Sequence, residues 1–362
     1  MQSFLKPNRK VNYGLDLTKV FVGQEIVSNY NITVDESVLS LWSGFMPTSS
    51  YPENSREFAG RLGFHQIFLP YGFLMNLTLS LGAESYGNSS IHIHEVRNVL
   101  YLSPAFPGDT FSCSIRIRRI SEQGRHNYVV ADHILFNQKG EAVFLLECEM
   151  VFPHFVPRVT IASTRTQPMM NNLFKEKILA RVRGIHIQNK INVFKAGDLL
   201  LHPYVRPVGK SENLFWATYL KDTIPNHFNY QRFKPGEILV SDGIVISMVL
   251  GIAGREFRQV LLPEVIRSFR VVPVVAEDRL GAFSYVNEVR PVMPGFEELY
   301  ITTFGLRNVD TETELSDFAF PEDLFGSIKT ASDVDFVLES KCPHLINKIC
   351  CMAQWKVLRK NE

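Results

Sequence analysis

The pattern of apolar and polar positions repeats once along this chain, in the same order in both halves. Each half first shows a Gly before alternating residues, then an acidic helix start that carries a Trp. The two copies are VGQEIVSNYNITVDESVLSLWSGF at 22–45 and AGDLLLHPYVRPVGKSENLFWATYL at 196–220. Next comes an aliphatic helix introduced by Gly, LPYGFLMNLTLSL at 69–81 and LVSDGIVISMVLGI at 239–252. Pro-Gly and strand-like alternation follow, in SPAFPGDTFSCSIRIRRI at 103–120 and RPVMPGFEELYITTFGLRNV at 290–309. Trp42 is thereby matched with Trp216, Gly72 with Gly243, and Pro107-Gly108 with Pro294-Gly295. In the alternating runs Cys113, Ile115 and Ile117 take one face and Ser112, Ser114, Arg116 and Arg118 the other, the period of a half-buried strand.

The stretch Gly243 to Ala253 is nearly free of polar residues, so it reads as a helix buried on most of its surface. It is too short for the roughly 20 residues that cross a bilayer. The first half closes with HNYVVADHILFNQKGEAVFLLECEMVFP at 126–153, a hairpin turned at Asn137 to Gly140. A long apolar helix followed by an antiparallel meander, twice over, describes an α+β double hotdog: two tandem modules, each a central helix wrapped by a curved sheet. The expected division is an N-terminal module at 1–160, a linker at 161–190, a second module at 191–325 and a helical extension at 326–362. Within that extension Asp333 to Leu338 and Leu345 to Val357 have helical character.

Composition then narrows the function. A formal charge of +1 provides no field to draw a nucleic-acid backbone or an acidic membrane as main partner. The first residues turn polar quickly and lack the apolar core of a signal peptide, which leads to the expectation of a cytoplasmic protein. The five cysteines lack paired metal-site spacing and read as reduced, mostly buried thiols. A zinc site from Cys342, His344, Cys350 and Cys351 is disfavoured because adjacent cysteines rarely form the ligand set. His92 and His94 fall on one strand face and, with His65, raise a metal reading. Strand-surface histidines are far commoner than metal sites.

The segment YLKDTIPNHFNY at 219–230 sets Asp222 and His227 five apart in a Pro-containing loop, just after Trp216. An adjacent carboxylate and imidazole can hold a water and move its proton. Here the sequence resembles the MaoC-like and (R)-specific enoyl-CoA hydratases, whose Asp and His share this offset with Pro two before the His, matched by Asp222, Pro225 and His227. The paired modules look most like the mesaconyl-CoA hydratase, or beta-methylmalyl-CoA dehydratase, branch. The resemblance implies that Asp222 and His227 are the catalytic dyad. It also implies that the backbone N–H of Gly243 contributes to the oxyanion hole, a task a helix N-terminus suits. Asn226 and Ser247 are candidate substrate contacts. Two positions depart from the family pattern: Ile224 stands where an Asn is usual, and Asp242 is an uncommon neighbour for an oxyanion hole.

The first-half counterpart of the dyad loop, FMPTSSYPENSREF at 45–58, has no His, so the first module is expected to be silent. Arg56, Arg61, Arg97, Arg116, Arg118 and Arg119 are candidates for gripping the phosphates of coenzyme A. The expected function is a hydratase or dehydratase on a small acyl-CoA, branched or dicarboxylic chains included. Coenzyme A enters as part of the substrate, with no metal or redox cofactor. The expected assembly is a homodimer or higher homo-oligomer. The alternatives are a double hotdog that binds acyl thioesters without turnover and a hotdog thioesterase.

Overall fold

The computed structural model describes residues 14–48, 50–158, 173–182, 193–257, 260–326 and 328–361. Most of the expected linker lies outside the described residues. Its described part is a helix at Leu173–Val182, whose Phe174, Ile178 and Val182 are fully buried.

Eleven strands are described: β1 (Glu25–Val27), β2 (Ile32–Thr33), β3 (His92–Tyr101), β4 (Thr110–Gln123), β5 (His126–Phe136), β6 (Ala142–Pro153), β7 (Leu199–Pro207), β8 (Val260–Arg270), β9 (Arg279–Met293), β10 (Phe296–Arg307) and β11 (Ile349–Lys360). They form one sheet in the order β1-β4-β5-β6-β3-β8-β11-β10-β9-β7, with β2 beside β4. The order reads alike from both ends, so β3 and β8 are equivalent strands that meet at a pseudo-twofold axis. Each half-sheet wraps one long helix, the first central helix at Tyr71–Tyr86 and the second at Asp242–Phe257. Both are buried nearly all round, as apolar faces on every side require. This is the double hotdog that the repeat predicts.

The seam between halves is held at named points. Tyr71 Oη donates to the Val99 carbonyl at 2.9 Å and accepts from Val265 N–H at 2.8 Å, so one phenol ties β3 to β8 where those two residues face each other. Arg97 opposes Arg267 across the same seam, a repulsive register by itself. Buried Glu95 lies between them, 2.6 Å from Arg267 Nε and 3.3 Å from Arg97 Nη1.

Two sequence readings are corrected. The segment 345–357 is not helical: apart from a short turn at Pro343–Leu345, it enters strand β11 between β8 and β10, at the place that β6 holds in the first half. Of the 326–362 extension, the chief helix is Ala331–Lys341, and the rest completes the second module. The sequence pattern does not reveal this strand because both of its faces are covered. Cys350, Cys351, Ala353, Trp355 and Val357 belong to the main core, and Ile349 and Met352 to a second core beneath the inserted helix. A strand buried on both faces loses its alternation and cannot be told from a buried helix by period. The short Asn137–Gly140 turn of the first half is thus replaced by some forty residues in the second.

The other correction concerns the Pro-Gly pairs. Pro107-Gly108 precedes β4, but Pro294-Gly295 turns β9 into β10. Its true counterpart is the Gly124 turn between β4 and β5. Turn-forming residues mark a reversal without saying which one. The loop before β9 is recognisable otherwise, since Asp278 Oδ2 accepts from Val275 N–H as Asp109 Oδ2 does from Phe106 N–H.

Candidate active site

The helix Lys210–Tyr219 carries Trp216 into the core, where its ring meets Trp42 of the helix Glu36–Phe45 edge-on at 5.0 Å between centroids. Past this helix Lys221 takes a positive φ of 62°, which turns the chain into the dyad loop. Pro225 then opens a single tight helical turn through His227. That turn brings Asp222 and His227 together, with Nδ1 of the imidazole 2.6 Å from Asp222 Oδ2. The second carboxylate oxygen accepts from Ile224 N–H at 2.9 Å, fixing the aspartate's plane.

The loop is also tied from outside. Thr223 Oγ1 donates to the Ala83 carbonyl of the first central helix at 2.8 Å. Buried Asn213 donates to the His227 carbonyl at 3.1 Å, and Leu239 N–H donates to the Asn226 carbonyl at 2.9 Å. With Nδ1 held by Asp222, His227 lines a cleft into which Nε2 is free to act, having no partner among the described residues. Burial alone would lower the imidazole's pKa. The Asp222 charge and hydrogen bond outweigh it, helped by Asp242 and opposed by Arg270, so the net direction is upward from 6.5.

The cleft encloses about 640 Å³ including its open mouth, and both modules line it. Gly243, the second residue of its helix, forms part of the floor beside Asp222 and His227. Its N–H falls in the first turn, where helices leave donors unpaired. The approach there is close: a Cβ would lie 2.5 Å from Asn76 Oδ1 of the first central helix, so a larger residue would force that side chain to move.

Asp242 is not an unopposed charge. Arg270, at the end of β8, reaches it at 3.4 Å, and both line the cleft. Four of the arginines named from sequence form ion pairs: Arg56, Arg97, Arg118 and Arg119 pair with Glu36, Glu147, Asp132 and Glu149.

Of the candidate contacts, Asn226 lines the cleft and its buried Oδ1 has no hydrogen-bond partner among the described residues. Ser247 does not line it. Four residues past Gly243, it faces the first central helix, 2.9 Å from Asn76 Nδ2. The cleft instead receives Asn76, His92 and Arg270, which sequence reasoning missed or did not assign. Asn76 had a signal, being an amide in an otherwise aliphatic helix. His92 reaches the wall from β3, and its pKa is pushed down by burial and by Arg270. His94 instead packs edge-on to Tyr128 at 5.4 Å. Cys342, Cys350 and Cys351 are free, buried thiols.

No family model and no curated protein matches this sequence. Solved structures do. A MaoC-domain protein from Chloroflexus aurantiacus assigned as a dehydratase superposes with a TM-score of 0.74 at 16% identity, covering 98% of this chain and 100% of that one. A conserved Mycobacterium tuberculosis protein with a double hotdog fold gives 0.67 at 12% identity over 95% and 98%. A MaoC-like dehydratase gives 0.57 at 11% identity over 94% and 98%. These likenesses run the length of the chain and define its class as an α+β double hotdog, with MaoC-like dehydratases among its structural neighbours.

Proposed function

We propose that the protein is a hydro-lyase that adds water to, or removes it from, the double bond of a small acyl-CoA thioester. The observation that carries this reading is the 2.6 Å bond between Asp222 and His227 at the edge of a cleft whose floor is the N-terminus holding Gly243. In the hydration direction His227 Nε2 takes a proton from water as the water oxygen bonds to Cβ. The π electrons move to Cα and the thioester oxygen, where the N–H of Gly243 stabilises the enolate. The imidazolium, held by Asp222, then returns a proton to Cα from the same side. Water is added with no change in redox balance, so these groups suffice and coenzyme A serves only as the handle. MaoC-like dehydratases share the whole fold, which agrees with this chemistry.

The thioesterase alternative needs a carboxylate free to work at the carbonyl. Both oxygens of Asp222 are already engaged, by Ile224 N–H and by His227. The alternative of binding without turnover rests on Ile224 and Asp242 together; Arg270 supplies Asp242 with a counter-charge at 3.4 Å, while Ile224 still stands where an Asn is usual.

Crotonyl-CoA and mesaconyl-CoA, followed by loss of the conjugated thioester absorbance, test the proposal. Loss with the native chain, no release of free coenzyme A, and a rate about 10²- to 10⁴-fold lower in His227→Ala are the expected results. Release of free coenzyme A, or equal rates for native and variant, would overturn it.

A further inference from the structure

The pseudo-twofold axis that exchanges the central helices also carries the dyad cleft onto a second cavity. That cavity encloses about 490 Å³ including its mouth and shares no lining residue with the cleft. Equivalent parts can be identified by counting. Leu220 caps the Trp216 helix and Met46 caps the Trp42 helix. Asp222 and His227 lie two and seven residues beyond Leu220 (222 − 220 and 227 − 220), so their counterparts beyond Met46 are Thr48 and Glu53. Gly72 stands where Gly243 stands, and Ser247 lines this cavity as Asn76 lines the other.

The half whose dyad-loop counterpart lacks a histidine is therefore not featureless. Glu53 is only 5% exposed and lies in the cavity wall. Its Oε1 accepts from Tyr71 N–H at 3.1 Å, and Oε2 has no partner among the described residues. Trp42, in the same wall, is wholly buried with an indole N–H that also lacks one. Buried polar groups are nearly always paired, and the unpaired indole N–H in this wall, beside a carboxyl with only Oε1 engaged, signals a missing partner. Around them Met46, Met75, Leu250 and Trp355 supply apolar surface.

We propose that this cavity is a second acyl site, which takes the carbonyl oxygen of a short acyl group on Glu53 and the Gly72 N–H and holds it without turnover. A neutral carboxyl is a hydrogen-bond donor, and burial, only partly offset by the Tyr71 N–H, pushes Glu53 up to about 8, so it carries its proton at neutral pH. The apolar walls take the chain. Turnover is absent because Thr48 stands in Asp222's place and its hydroxyl is given to Asn54 Oδ1 at 2.6 Å, leaving no acid–base pair. The shared chemistry fits a thioester or a free acid.

The test is calorimetric titration of the full chain with hexanoyl-CoA and, separately, with hexanoate. Both are saturated, so binding is read whether or not the dyad hydrates anything. The expected result is two binding events per chain for at least one ligand, one of them weakened at least tenfold by Glu53→Ala and retained in Glu53→Gln, which still accepts from Tyr71 N–H and still donates. Leu250→Phe, which fills the cavity without touching Glu53, should remove the same event and serves if Glu53→Ala does not fold. Two events with hexanoyl-CoA identify a thioester occupant, and two with hexanoate alone a free acid. No more than one event with each of the two ligands, or a second one indifferent to both substitutions, overturns the proposal.

Discussion

Asn76 and Ser247 hold equivalent places in the two central helices, four residues past Gly72 and Gly243, and they bond to each other at 2.9 Å across the helix crossing. Asn76 Nδ2 also donates to the Gly72 carbonyl at 2.8 Å. The two polar side chains are thus paired where the two central helices meet, and each lies against the other helix's glycine. A Cβ on Gly72 would meet Ser247 Oγ at 2.8 Å, and one on Gly243 would meet Asn76 Oδ1 at 2.5 Å.

Gly72→Ala should therefore destabilise the chain by about 1–3 kcal/mol, the usual cost of overpacking a tight core. Adding Ser247→Gly removes the atom in the way and should recover part of that loss. Denaturant melts of the four chains of this double-mutant cycle measure the coupling. Strictly additive losses would show that the crossing tolerates the methyl without Ser247 yielding.

The raised pKa of His227 makes a prediction about direction. Hydration needs the free imidazole as base, so its rate should rise with pH around a midpoint above 6.5. Asp222→Asn removes the charge that lifts the pKa and leaves the burial that lowers it, so the midpoint should move below 6.5 while kcat falls about 10²- to 10⁴-fold. The linkage to stability follows the same shift. A folded-state pKa above the unfolded value gives stability that is fully present below pH 6.5 and is lost as pH rises through the folded value. An unmoved midpoint in the variant would detach Asp222 from His227's titration.

Much of this was legible in the chain because the repeat is written in residues that packing constrains. Trp42 matches Trp216 in the repeat and their rings meet in the core, and Gly72 matches Gly243 and each packs against the opposite helix. What escaped was of two kinds. Strand β11 lost its alternation by being covered on both faces, and Pro294-Gly295 matched Pro107-Gly108 in chemistry though not in place. Arg270, for its part, enters the cleft from the far end of β8, and no local spacing connects it with Asp222. Ser247, a candidate substrate contact in the sequence, stands one helical turn beyond Gly243, but that position faces the neighbouring helix, which is where its side chain bonds.

The Asp242 and Arg270 pair gives a third prediction. Arg270→Gln leaves the Asp242 carboxylate close to the proposed oxyanion hole with its counter-charge gone. A loss of about 1.4 kcal/mol in transition-state binding is tenfold in rate, so turnover should fall by at least that order. Asp242→Asn in the same chain removes the opposing charge and should restore most of it. If Arg270→Gln is no better with Asp242→Asn than without it, Arg270 acts on substrate directly and not through Asp242.

Glu53 supplies a prediction that is independent of any ligand. Its carboxyl is pushed up to about 8 from 4.5, because burial disfavours the charged form and the single Tyr71 N–H offsets only part of that. In the unfolded chain the same group ionises at its ordinary value. A folded pKa above the unfolded one gives stability that is complete below pH 4.5 and is lost as pH rises through the folded value near 8. Glu53→Gln keeps an oxygen for Tyr71 N–H and has nothing to ionise. Its Tm should therefore fall less than that of the native chain between pH 5 and pH 8, about 0.5 unit above the lower pKa and at the upper one. Thermal melts of the two chains across that window decide the matter, and parallel curves would mean that Glu53 keeps its charge in the fold and that water or a cation reaches it in the cavity.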